Sequence, residues 1–249
     1  MTCKDSIVIC DDEKQAIASF LSYLLTAIES LAKSKKHITI GLSGGSFINT
    51  FSAEVAKNLD NFKIYKDKLI FIFCDERFVP LNHSDSTFFG FASKNFFENL
   101  EIPDKHVYSI KADSKSVEEC AHDYEERLKP LLNASGGFDI LCLGMGPDGH
   151  TCSLFPGHKL FTEAASQTNL VLPISDSPKP PPSRVTLTLN YINNSEHLLF
   201  FTMGESKAEM LRKILVEADQ SLPCTHVRPK HSHGNLRWFL DKAAAKLLA

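Results

Sequence analysis

The chain has 249 residues, 43% of them hydrophobic, with 27 Lys and Arg against 30 Asp and Glu and a formal net charge of −3. Such a length carries a full core, while the mild acidity and scattered basic residues argue against a nucleic-acid groove or a polybasic membrane patch. No apolar run approaches the ~20 residues of a membrane-spanning helix, the start Met1-Thr2-Cys3-Lys4-Asp5-Ser6 lacks a signal-peptide core, and seven cysteines without a C-x-x-C pair fit buried, reduced thiols in the cytoplasm.

In chain order, Ser6–Cys10 is a short apolar run. Ile17, Phe20, Leu21, Leu24, Ile28 and Leu31 then recur at three- and four-residue steps, which predicts a long amphipathic helix. Lys33, Lys35 and Lys36 suit the negative pole at its end. Ile38–Leu42 reads as a strand, and Phe47, Phe51, Val55 and Leu59 as one face of a second helix. Leu69–Phe73 is apolar without alternation, as expected of a parallel strand covered on both faces. Helices are predicted over Ser86–Leu100 and Ser116–Leu132, followed by strands Phe138–Leu143 and Leu198–Phe201 and a helix Glu205–Ala218. Ser175–Ser183, with four prolines, and Ser221–Asn235 read as loops, and Pro180-Pro181-Pro182 as a stiff surface turn rather than an SH3 ligand. Strands alternating with helices predict one α/β domain over 1–249, a doubly wound, mainly parallel sheet flanked by helices.

Chemistry concentrates where the predicted strands end. Gly144-Met145-Gly146-Pro147-Asp148-Gly149-His150 leaves the strand Phe138–Leu143. Its glycines permit a sharp turn at the sheet edge where open α/β folds place ligands. Asp148 and His150 supply a carboxylate and an imidazole, the side chain that titrates near neutrality and serves as a general base. Ser43-Gly44-Gly45-Ser46 lies between a strand and a helix, where free amides favour a phosphate; a plain tight turn is the alternative. It lacks the lysine of a Walker loop and the third glycine of a dinucleotide fingerprint. Cys74-Asp75-Glu76-Arg77 puts three charges at the exit of a buried strand, where they must be solvated, paired or used on a ligand. Arg184, after the proline-rich loop, can grip phosphate oxygens with two N–H groups. Lys207 in the first turn of a helix opposes the dipole unless an anion is present. Cys224, His226, His231 and His233 are too irregularly spaced for a metal site and read as a solvated cluster.

Taken together, Ser43-Gly44-Gly45-Ser46, Asp75-Glu76-Arg77, Gly144-x-Gly146-x-Asp148-Gly149-His150, Ser183-Arg184-x-Thr186-Leu187-Thr188 and the tail Trp238-Phe239-Leu240-Asp241 resemble the 6-phosphogluconolactonase family over nearly the whole chain. Asp-Gly-His-Thr-x-Ser-Leu-Phe-Pro, residues 148–156, is the most specific stretch. The resemblance implies a sugar-phosphate isomerase fold shared with glucosamine-6-phosphate deaminases. It also implies a metal-free, cofactor-free hydrolase of the pentose phosphate pathway. Those deaminases are the nearest rival, but their histidine loop continues to Asn-Glu-Pro, whereas Leu154 and Phe155 precede Pro156 here. Arg77 also stands where they carry an aromatic residue.

The expectation is therefore hydrolysis of 6-phosphoglucono-δ-lactone with His150 as general base. Asp148 orients His150 or a substrate hydroxyl, and Asp75 binds sugar hydroxyls or acts as a second acid/base group. Arg77 or nearby amides face the oxyanion, and Ser43–Ser46, Arg184 and Lys207 take the phosphate. The partner is a small sugar-phosphate lactone, with no nucleic acid and no membrane, and a monomer is expected. A non-catalytic sugar-phosphate sensor is the alternative from outside enzymology.

Overall fold

The computed structural model describes residues 4–162, 168–232 and 234–248. Its strands are β1 (Lys4–Cys10), β2 (Ile38–Leu42), β3 (Leu69–Phe73), β4 (Asp75–Arg77), β5 (Val107–Tyr108), β6 (Ile140–Leu143), β7 (Val171–Ile174), β8 (Arg184–Leu187), β9 (His197–Thr202) and β10 (Asn235–Asp241). The helices are α1 (Glu13–Ala32), α2 (Phe47–Ala56), α3 (Leu59–Lys63), α4 (Thr87–Ala92), α5 (Phe96–Asn99), α6 (Val117–Leu128), α7 (Lys159–Thr162), α8 (Leu189–Asn193) and α9 (Ala208–Leu215).

Seven strands pair in parallel in the order β1-β10-β9-β6-β2-β3-β5. Each core strand sends alternate side chains to opposite faces, so it buries two apolar surfaces at once. Ile40 and Leu42 of β2, Ile140 and Cys142 of β6, and Leu199 and Phe201 of β9 enter the core beneath α1 and α2. Leu141, Leu143, Leu198 and Phe200 enter the other core, with Tyr124 of α6 and Leu211 of α9. The first core is rich in phenylalanine: Phe20 of α1 meets Phe47, Phe51, Phe201 and Phe239 edge-on, at ring centroid separations of 5.2–5.9 Å. Edge-to-face geometry adds to area burial because positive ring edges meet negative faces. The predicted doubly wound, mainly parallel sheet is thus the observed architecture.

Several local expectations are corrected. Helix α1 is long and apolar enough by length and composition to span a membrane, contrary to the sequence expectation. It is nonetheless a core helix, since Ala16, Ile17, Phe20, Leu21, Leu24, Ala27, Ile28 and Leu31 are all buried. The segment after α1 does not spend Lys35 on the helix dipole; its ammonium pairs with the carboxylates of Asp139 and Glu196. The helix predicted over Ser86–Leu100 is two helices, α4 and α5, separated by Asn95 in a left-handed conformation with φ 53°. The helix predicted from Glu205 begins with a 3₁₀ turn and ends at Leu215. A second, three-stranded antiparallel sheet, β4-β8-β7, was not anticipated. Asp75-Glu76-Arg77 therefore forms a strand, with Asp75 opposite Thr186 and Arg77 opposite Arg184.

At the amino end of the main sheet, buried Asp139 ties β2 to β6. Its carboxylate accepts from the Thr39 amide at 2.8 Å and the Thr39 hydroxyl at 3.2 Å, in addition to Lys35. The Thr39 hydroxyl also accepts from the Asp139 amide at 2.9 Å. Removing the carboxylate leaves the buried Thr39 amide without its acceptor and takes from Lys35 the nearer of its two carboxylate partners. Asp139→Ala is therefore expected to lower stability by about 3 kcal/mol, read as a shift of the urea midpoint without loss of cooperativity.

Candidate active site

Parallel pairing brings the strand exits to one edge of the sheet, with β9 projecting farthest. Leu42 is in register with Phe73 and with Cys142, and Cys142 with Leu199. The loops that follow β2, β3, β6 and β9 consequently leave the sheet together, the crevice in which doubly wound sheets bind ligands. A cavity of about 480 Å³ opens there. Of the residues expected from sequence to form the site, Ser43, Gly44, Gly45, Ser46, Asp75, Arg77, His150, Arg184 and Lys207 line this cavity. Asp148 does not; it stands behind His150.

The imidazole is held from that hidden side. Its Nδ1 is 2.5 Å from Asp148 Oδ1. A carboxylate only accepts, so Nδ1 carries the proton and Nε2 keeps its lone pair. Gly146 is what allows this approach. A Cβ at that position would lie 2.0 Å from His150 Nδ1 and 2.6 Å from Asp148 Oδ1. Phe155 closes the other side, with its ring centroid 4.6 Å from that of the imidazole. Burial pushes the His150 pKa below its ordinary value; the hydrogen bond and charge of Asp148 oppose that push without reversing it, and Lys179 reinforces it. The ring is therefore neutral at physiological pH. Burial raises the Asp148 carboxyl, but His150 and Lys179 outweigh it and hold the group below the usual carboxylate range.

The three charges after β3 have separate fates. Asp75 Oδ2 accepts from Ser153 Oγ at 2.8 Å, with the residue lining the cavity. Glu76 turns inward and accepts from the amides of Arg77, Thr87 and Phe88 at 2.6–2.7 Å and from Ser86 Oγ at 3.2 Å. It thereby satisfies the free amides at the start of α4, although burial pushes its carboxyl up. Arg77 donates from Nη1 to the Asp85 carbonyl at 2.7 Å.

The remaining wall is suited to an anion. Gly45 has φ +85° with nothing within 4 Å of a built Cβ, so backbone conformation rather than space selects glycine there. The first amides of α2 follow it. Ser43 Oγ, Thr202 Oγ1 and Arg77 Nε are buried without hydrogen-bond partners, and all three residues line the cavity. A buried polar atom left unpaired is costly unless a ligand completes it. Lys207 Nζ donates to the Met145 carbonyl at 3.0 Å, and burial followed by the charge of Lys179 lowers its pKa. Two carboxylates on the lining are already engaged. Asp241 accepts from the amides of Gly204 and Ala244, and Glu13 from Thr50.

Arg184 differs from its expected role in how it is used. Nε and Nη2 donate to the carbonyls of Lys179, Pro180 and Pro181 at 2.9–3.0 Å, and Nη1 reaches Ser153 Oγ at 3.4 Å. Most of the guanidinium thus holds the proline-rich loop, with one edge left on the cavity. Three contributors were given no role by the sequence reading: Ser153 and Phe155, which lie in the 148–156 stretch of the resemblance, and Lys179. The signal for Lys179 is weak, a cation held between Pro178 and Pro180.

The histidine-rich segment does not join the site as a cluster. His226 Nε2 meets the Gln220 carbonyl and His231 Nε2 that of Asn194, while His233 lies outside the described residues. Among the described residues, no group of three or more His, Cys, Asp or Glu is arranged to hold a metal ion.

The family model for glucosamine-6-phosphate isomerases/6-phosphogluconolactonase matches residues 11–238. A 6-phosphogluconolactonase of Rattus norvegicus is 40% identical over 240 residues, covering 94% of this chain and 91% of its own. That of Homo sapiens is 42% identical over 222 residues, covering 88% and 83%. The crystal structure of 6-phosphogluconolactonase from Thermotoga maritima superposes with a TM-score of 0.81 at 30% identity, covering 96% of this chain and 100% of that one.

The close approach at Gly146 can be tested directly. In a crystal structure of Gly146→Ala the imidazole should be displaced and its contact with Asp148 broken, with the strands unchanged. An undisturbed pair would show that space at Gly146 does not govern the site.

Proposed function

The chain belongs to the glucosamine-6-phosphate isomerase/6-phosphogluconolactonase family, and from that premise we propose that it hydrolyses the ring ester of 6-phospho-D-glucono-1,5-lactone to 6-phospho-D-gluconate. The observation that carries the reading is a neutral, Asp-backed imidazole in the same cavity as an amide- and cation-lined anion site. That these relatives are 6-phosphogluconolactonases supports the lactone as substrate.

In this mechanism Nε2 of His150 removes a proton from water as the water oxygen attacks C1. Asp148 holds the ring and stabilises the imidazolium that forms. The carbonyl oxygen becomes an oxyanion, for which Arg77 or the loop amides are the available donors. When the carbonyl re-forms, the C1–O5 bond breaks and the imidazolium proton passes to O5. One hydroxyl and one carboxylic acid result, and the acid ionises. Asp75, fixed by Ser153, is placed to accept from a sugar hydroxyl. The phosphate is assigned to the Gly44, Gly45 and Ser46 amides, the unpaired Ser43 hydroxyl, Lys207 and the free edge of Arg184. Every group comes from one chain, so a monomer suffices and no cofactor is invoked. The buried thiols Cys10, Cys74, Cys120, Cys142, Cys152 and Cys224 suit a reducing compartment such as the cytoplasm.

His150→Ala is expected to lower kcat by about 10²–10⁴-fold, measured on freshly generated lactone with spontaneous opening subtracted. Ammonia release from glucosamine-6-phosphate is the parallel assay for the related deaminase chemistry. Because burial depresses the imidazole and only its neutral form accepts a proton, wild-type turnover should hold at pH 7. It should fall as pH drops through a value below about 6.5. Unchanged turnover in His150→Ala at neutral pH removes the base assignment. Lys207→Ala should raise KM for the phosphorylated lactone by about tenfold or more with a smaller effect on unphosphorylated gluconolactone; an equal effect on both shows that Lys207 does not read the phosphate.

A further inference from the structure

The general base is served by a second charged residue that the mechanism above does not use. Lys179 Nζ lies 3.1 Å from Asp148 Oδ1 and 3.2 Å from His150 Nδ1. With Nδ1–H already donating to Asp148, the ammonium and the ring share one carboxylate oxygen as rival donors. Lys179 is absent from the cavity lining, so it touches the dyad from behind and is not placed to meet substrate.

Its position is enforced by the loop that carries it. Ser177 Oγ donates to the Lys179 carbonyl at 2.9 Å and accepts from the Lys179 amide at 3.2 Å, while the Ser177 amide reaches the Pro182 carbonyl at 3.1 Å. Buried Arg184 then binds the carbonyls of Lys179, Pro180 and Pro181. A lysine whose backbone is fixed at both N–H and C=O loses far less freedom in forming its ion pair than one on a loose loop.

Resting on the lactonase reading, we propose that Lys179 is a positioning residue for the catalytic dyad: its ammonium shares Asp148 with the His150 ring and, by opposing a charged imidazole, keeps the base neutral in mildly acidic solution. The charged groups that bear on His150 are few. Asp148 beside Nδ1 and Asp75 across the site favour the imidazolium, and Lys179 opposes it. Phe155 supplies an apolar face, and the Cys224 thiol meets the His150 carbonyl at 3.5 Å. Without Lys179 the two carboxylates would be opposed only by burial and by the cations on the cavity lining, Arg77, Arg184 and Lys207. An Asp–His pair so placed would begin to protonate at a pH where the native pair does not.

The test compares Lys179→Met, which keeps the stem and removes the charge, with Lys179→Arg. In Lys179→Met the acid limb of kcat/KM should move up by about one pH unit, so that the loss relative to wild type is several-fold greater at pH 6 than at pH 8. Lys179→Arg should restore the wild-type limb. A loss of the same factor at every pH, with the limb unmoved, overturns the proposal and leaves Lys179 a structural residue. The His150 ring is titrated in parallel by NMR in unliganded protein. An upward shift in Lys179→Met supports the proposal and an unmoved titration refutes it, whether or not the protein opens the lactone. Failure of wild-type turnover therefore speaks only to the proposed reaction.

Discussion

Register across the parallel strands is the constraint from which the site follows. Leu42, Phe73, Cys142 and Leu199 form one row in register, so the loops after β2, β3 and β6 begin within one residue of the same height, and β9 runs three residues farther before its own loop begins. Each strand is locked in that row by apolar side chains on both faces. A slip of one residue would exchange the two faces and expel buried phenylalanines from the core. The energy that fixes the geometry is thus hydrophobic and lies beneath the cavity, while the polar groups that line it sit on loops and on the short strands β4 and β8.

Above that row, the balance between charge and burial decides what each group can do. His150 is desolvated enough to remain neutral, yet a carboxylate 2.5 Å away fixes its tautomer. Arg77, Arg184 and Lys207 converge on a region with unpaired hydroxyls and helix-start amides. Such a region is poorly satisfied when empty and gains most from a compact anion with several acceptor oxygens. The carboxylates nearby do not cancel it, because Glu76, Asp241 and Glu13 are each held by protein donors.

Much of this was legible in the residues because the informative signals are local. Continuous apolar runs such as Leu69–Phe73 mark strands buried on both faces, and Gly144-x-Gly146 marks a turn that Cβ atoms would block. What escaped depends on distant pairing. Asp75-Glu76-Arg77 has no apolar pattern, since its strand is stabilised by β8, more than a hundred positions away. The inward turn of Glu76 is set by amides of a helix that begins eleven residues later. Arg184 read as a free cation because nothing in its neighbours reveals that three carbonyls of the preceding loop fold back onto it. Lys179 was hidden for the same reason, as its partners lie some thirty residues earlier.

The hairpin formed by β7 and β8 has an evolutionary consequence. Its loop carries the cation behind the Asp148–His150 pair, but the imidazole, Asp75 and the Ser43–Ser46 turn belong to other segments. If Lys179 acts as proposed, selection can retune the acidity at which the imidazole charges by rewriting one short insert while those segments stay under separate restraint. Relatives adapted to different acidity are expected to diverge there first.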